Sequence, residues 1–174
     1  MNRAIRFSMR HMLAVLASLA FVLASYAADN DVRVEINSEK AGPRQMEPLS
    51  ERGIQRDYRA AWASIARALE SNTLDPLNGP FVGSAEQWLK DTVLSQQRSG
   101  LSQRLSDQNH KVETVFYSPE GDVMELHDTA EYQLQIFDGG KAIHDEHVVV
   151  RYVVLMTPGA DRWVVRELQA VPHF

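Results

Sequence analysis

The segment VMELHDTAEYQLQIF, from Val123 to Phe137, constrains this chain more than any other stretch. Its alternation is unbroken. Met124, Leu126, Asp128, Ala130, Tyr132, Leu134 and Ile136 fall on one side of an extended chain; Glu125, His127, Thr129, Glu131, Gln133 and Gln135 fall on the other. Successive strand side chains point to opposite faces, so the first set is expected to face a core and the second to face water. A strand half-buried in this way needs antiparallel neighbours, and the flanking sequence supplies them. KVETVFYS precedes it through the turn SPEGD, where Gly121 suits a positive φ. DGGK forms a hairpin turn into HVVVRYVVLM, and TPGAD leads to RWVVRELQAV. The period is 2 from about His110 to the end.

Upstream the period is different. Ile54, Tyr58, Ala61, Trp62, Ile65, Ala68 and Leu69 recur at steps of three and four, the stripe of an amphipathic helix beginning near Ser50. ESNTLDPLNGP breaks it, since Pro76, Gly79 and Pro80 do not continue a helix. A second helix is expected from Ser84, which with Gln87 has capping-box spacing. Its buried stripe would be Ala85, Trp88, Leu89, Thr92 and Val93, with a stop at Ser99-Gly100. Leu101 and Leu105 suggest a short third helical piece. Helices followed by strands indicate an α+β domain: two to three N-terminal helices packed on a curved antiparallel sheet of about four strands.

The domain is expected to occupy residues 50–174. Residues 28–49, polar and punctuated by Pro43 and Pro48, read as a flexible linker or arm, in which VRVEI is a candidate edge strand. Residues 1–27 read as a signal peptide. Arg3, Arg6 and Arg10 precede the apolar run MLAVLASLAFVLA, and Ser25 and Ala27 suit a cleavage site after Ala27. The alternative is an uncleaved anchor, for which the run is short of the roughly 20 apolar residues a spanning helix needs. The chain has no cysteine, consistent with export as a periplasmic or secreted domain stabilised by its core alone. No later apolar run is long enough to span a membrane. A net charge of −5 without a Lys/Arg cluster argues against nucleic acid as a partner.

A long Trp-containing first helix, a Pro/Gly break, FVG opening a second helix, long strands and a final DRWVVREL together resemble the nuclear-transport-factor-2-like (NTF2-like) superfamily over about residues 50–172. The resemblance rests on element order and strand length. It implies a cone-shaped α+β domain, in a superfamily that includes ketosteroid isomerases, dehydratases and non-catalytic binding domains. It also implies that acids and tyrosines inside the cone would form any site.

On that footing Asp128 is the candidate that stands out, a carboxylate on the apolar face between Leu126 and Ala130. One reading makes it a ligand contact or general base with a pKa raised by desolvation, with Tyr132, Tyr58, Tyr152 and Trp62 as neighbours. The other makes it structural: solvated where the strand bends, bonded to backbone, or paired with Arg151 or Arg166. The HDEH run at His144–His147 places its two histidines on opposite strand faces, and no further ligands converge on it, so it reads as the polar opening of a strand and not as a metal site. Trp62, Trp88 and Trp163 read as core. There is no GxSxG elbow and no Gly-rich phosphate loop, and no cofactor is expected. The combined expectation is a non-catalytic domain binding a small apolar ligand or a protein partner, with a homodimer as one form of the latter. The alternative is a ketosteroid-isomerase-like or dehydratase-like enzyme using Asp128 as base.

Overall fold

The structure, a computed structural model, describes residues 32–174. The expected signal peptide and its cleavage site lie outside the described residues. The chain runs β1 (Arg33–Asn37), α1 (Pro48–Ser71), a single 3-10 turn (Asp75–Leu77), α2 (Gly83–Ser99), β2 (Leu101–Tyr117), β3 (Met124–Asp138), β4 (Lys141–Pro158) and β5 (Trp163–Val171). The strands form one five-stranded sheet in the order β1-β2-β3-β4-β5. Two helices pack on one face of it, so the fold is α+β.

Three expectations need correction. The sheet is mixed and five-stranded: β1 pairs parallel to β2, with Val34 opposite His110. A parallel neighbour needs a crossover connection, which α1 and α2 provide. Residues 33–37, read as part of an arm with a candidate strand, are thus tied into the sheet, and Val32 and Val34 are buried. The third helical piece expected at Leu101 and Leu105 does not form. Leu101 and Leu105 belong to β2, which begins directly after the left-handed Gly100 (φ 71°) that ends α2. The Ser84–Gln87 capping box does not form either. Val82 caps the helix, Ser84 Oγ donates to the Arg166 carbonyl at 3.1 Å, and Gln87 Nε2 donates to Asp91.

α1 follows its periodicity closely. Pro48 occupies the first turn, where a missing N–H costs no intrahelical bond. Asn72 closes the helix in the left-handed conformation (φ 55°), its N–H bonding the Ala68 carbonyl. Ile54, Tyr58, Ala61, Trp62, Ile65, Ala68 and Leu69 are all buried against the sheet. Within the helix the buried Asp57 accepts the Trp163 backbone N–H at 2.9 Å, joining α1 to β5. The linker into α2 is held by β5 as well, since Val82 N donates to Val165 O and Val165 N to Pro80 O, both at 2.9 Å.

β3 carries out its alternation. Met124, Leu126, Asp128 and Ala130 are fully buried and Tyr132 nearly so, while Glu125, His127, Thr129 and Glu131 are half-exposed on the outer face. β2 does not keep one parity. Its register against β3 shifts between Ser106 and Asn109, around Asp107 at φ 51°. A bulge of this kind inserts a residue and reverses which side chains point inward. Leu105 is buried before it; Gln108, His110, Val112 and Thr114 are buried after it.

Candidate functional site

The interior between helices and sheet divides into two neighbouring regions, and Trp62 is the partition. On one side is a sealed polar knot. Asp128 lies opposite Tyr152 on β4 and Val112 on β2, with nothing of its side chain exposed. Tyr58, descending from α1, donates its hydroxyl to Asp128 Oδ2 at 2.7 Å. His110 Nδ1 lies 2.8 Å from the same oxygen. His110 reaches Asp128 diagonally across the β2–β3 ladder, a distance long side chains can cover. Burial, together with the adjacent Asp128 carboxylate, holds the Tyr58 hydroxyl well above its usual pKa, so it remains a donor. The expected structural partners Arg151 and Arg166 are not used. Both are exposed, and Arg151 reaches the Pro172 carbonyl. Asp128 is neither solvated nor spent on backbone.

Across Trp62 the character changes. Its ring lies 4.4 Å from His110, centroid to centroid, on the knot side, and 5.4 Å from Tyr152 and 6.3 Å from Tyr132 on the other. Those two tyrosines, with hydroxyls 3.4 Å apart, help line an apolar cavity of about 190 Å³. α1 contributes Trp62, Ile65 and Leu69; α2 contributes Trp88, Leu89 and Thr92; the sheet contributes Gln103, Leu105, Tyr132, Leu134, Tyr152 and Leu168. Desolvation raises the Tyr152 pKa, and the neighbouring Tyr132 adds to it. The cavity therefore has two phenol hydroxyls, with Thr92 and Gln103, on a wall that is otherwise apolar. A site of this composition binds by apolar contact and orients its occupant with a few hydrogen bonds.

The sequence-derived candidates are split by this arrangement. Trp62, Tyr132 and Tyr152 line the cavity, whereas Asp128 and Tyr58 do not; they belong to the knot. Trp88, expected in the buried stripe of α2, is 48% exposed at the cavity mouth. The stripe of α2 is narrower, made of Ala85, Leu89, Val93 and Gln96. His110 was not among the candidates. Only the bulge at Asp107–Gln108 turns it inward, and the polar run Ser106-Asp107-Gln108-Asn109 is the sequence signal that could have indicated one. In HDEH, His144 Nε2 meets Glu146 Oε2 at 3.0 Å on an exposed stretch of β4, consistent with a strand opening. Among the described residues no group of three or more His, Asp or Glu side chains converges on a metal position.

No family model matches the chain, and no curated protein does. Among solved structures it is similar to the intermembrane space region of the chloroplast protein ARC6, with a TM-score of 0.60 at 11% identity over 74% of this chain and 98% of that one. At that identity the likeness extends to the fold alone. Among the described residues no helix is long and apolar enough to cross a membrane.

Proposed function

We propose that this chain is an exported, non-catalytic domain of the NTF2-like type that holds a small apolar ligand in the cavity beside Trp62. The observation that carries the reading is the cavity itself: an opening between helices and sheet walled by Trp62, Trp88, Tyr132 and Tyr152 with aliphatic side chains around them. Buried apolar surface supplies about 25 cal/mol per Å² of binding free energy before ordering costs, and the paired phenols offer a hydrogen bond to one polar group on the ligand. Export follows from the N-terminal reading.

The competing reading, a ketosteroid-isomerase-like or dehydratase-like enzyme with Asp128 as general base, draws support from the His110–Asp128–Tyr58 geometry. A histidine-carboxylate pair is a base in chemical type, and Asp128 Oδ1 has no partner among the described residues. Against it, a general base must reach the proton it removes within hydrogen-bond distance. Asp128 is not on the cavity wall, although its cross-strand neighbour Tyr152 is. Ligand binding therefore ranks first.

Native mass spectrometry of the protein purified from its own exported compartment tests the proposal. A retained small molecule, released on denaturation, is the expected result. Saturable binding of anilinonaphthalene sulfonate that is weakened by Trp88→Ala and unchanged by Asp128→Asn is expected alongside it. Neither a retained mass nor saturable binding would end the ligand reading. Loss of binding in a folded Asp128→Asn variant would move the site to the knot and favour the catalytic alternative.

A further inference from the structure

The cavity does not end at Trp88. A second depression of about 430 Å³, more open to solvent, adjoins it, and Trp88, Thr92 and Gln103 line both. The two differ in chemistry. The cavity wall is mainly apolar, whereas this groove, between α2 and the start of β2, carries Asp91, Thr92, Gln96 and Ser99. What those four present is mostly acceptors. Thr92 Oγ1 donates its hydrogen to the Trp88 carbonyl at 2.8 Å and Ser99 Oγ to the Gln96 carbonyl at 2.9 Å, so each hydroxyl has only lone pairs left to offer. The Gln96 amide nitrogen donates to the Leu69 carbonyl at 2.6 Å and to Asn72 Oδ1, which fixes the orientation of the amide. Its oxygen has no hydrogen-bond partner among the described residues, in a side chain only 5% exposed. Asp91, exposed, adds a carboxylate. Among the described residues that line the cavity or the groove there is no Lys, Arg or His. Lys90 and Arg104, next in sequence to lining residues, pair instead with Glu86 at 2.6 Å and Glu70 at 2.8 Å.

Given a ligand in the cavity, on which this reading rests, we infer that it is an amphipathic amine, its apolar body beside Trp62 and its protonated nitrogen in the groove against Asp91 and Gln96. Size sets the body. An apolar cavity of about 150 Å³ takes benzene, so one of about 190 Å³ suits a ring or a chain of roughly six to eight carbons. Donor count and charge set the head. An ammonium brings three N–H donors and no acceptor, the complement of a groove that offers a carboxylate, an unpartnered amide oxygen and hydroxyl lone pairs. A buried acceptor left without a donor is costly, so the Gln96 oxygen gains most from such a head. Trp88, at the junction of cavity and groove, adds an indole face on which a cation is attracted. A carboxylate or phosphate head brings the wrong sign to Asp91 and no donor to Gln96. A hydroxyl head brings one donor and no charge.

Displacement of the neutral fluorescent reporter phenylnaphthylamine from the full chain by octylamine, octanol and octanoate tests the assignment, because the three share one tail and differ only in the head. Octylamine is expected to displace the reporter at concentrations about tenfold or more below octanoate, with octanol between them. Asp91→Asn is an exposed and isosteric change that should leave circular dichroism unaltered. It is expected to shrink the preference for octylamine over octanoate at least about threefold and to leave octanol unmoved. Asp91→Lys should shrink it further, toward octanoate. Octanol or octanoate displacing the reporter as well as octylamine does would overturn the amine assignment and leave the cavity reading intact. A preference that Asp91→Asn does not change would do the same. A reporter that fails to bind saturably, or that none of the three displaces, ends both.

Discussion

Asp128 and Tyr132 stand on the same face of the same strand, four residues apart, and they meet opposite conditions. Asp128 is sealed, with Tyr58 and His110 fitted to one carboxylate oxygen. Tyr132 lines a cavity that continues to an exposed Trp88. The strand is the same; what covers it differs. α1 lies down over Asp128 with Tyr58 and Trp62, whereas α2 presses only its narrow stripe toward the sheet and leaves room in front of Tyr132 and Leu134. One alternating pattern thus produces a close-packed polar knot at one end and a ligand-sized gap at the other.

The contrast makes the knot responsible for stability and the cavity for binding, and it can be broken. Asp128→Ala removes the shared acceptor and leaves the Tyr58 hydroxyl and His110 buried without it. A loss of about 3 kcal/mol is expected, since two buried polar groups each lose a hydrogen-bond partner, read as a fall in the urea midpoint; a loss under about 1 kcal/mol would mean that Asp128 is not structural. Alkaline titration comes next. Tyr58 and Tyr152 both have pKa values raised in the folded state, Tyr58 by burial and then by Asp128, Tyr152 by burial and then by Tyr132. The folded chain therefore holds these protons more tightly than the unfolded chain does. Their stabilisation is complete below the ordinary tyrosine pKa of about 10 and is lost as pH rises beyond it. Melting temperature should fall steeply above about pH 10, and that fall should shrink in a Tyr58→Phe, Tyr152→Phe double variant.

Tyr58→Phe alone keeps the ring and removes the donor, so a smaller cost of about 1–2 kcal/mol is expected. It should leave cavity occupancy unchanged in a probe titration. Trp88→Ala gives the smallest stability change, within about 0.5 kcal/mol because half of the side chain is already in water. The same variant should weaken probe binding about tenfold, in keeping with the loss of a large aromatic anchor. If Trp88→Ala unfolds the protein as readily as Asp128→Ala, the division between the two regions is wrong.

Much of this was legible in residue order. The α1 stripe from Ile54 to Leu69 and the inward set from Met124 to Tyr132 are where their periods place them, because a repeat of 3.6 or 2 leaves one side for the core. The sequence also singled out Trp62, Tyr132 and Tyr152 together, but it grouped Asp128 and Tyr58 with them. Period assigns a side chain to a face and carries no information about which helix residue will cover it. Trp88 was misplaced for a related reason: three- and four-residue spacing describes a stripe of any width, and contact with the sheet decides how much of it is covered.

By itself, then, the sequence determined the α+β order of elements, the inner faces of α1 and β3, and the presence of an acid among apolar neighbours, all of which follow from local periodicity and turn chemistry. Tertiary structure alone decided that β1 joins the sheet in parallel, that a bulge at Asp107 turns His110 toward Asp128, and that the cavity opens beside Trp88. Each depends on contacts between segments far apart in the chain, and such contacts leave no periodic mark in the sequence of either partner.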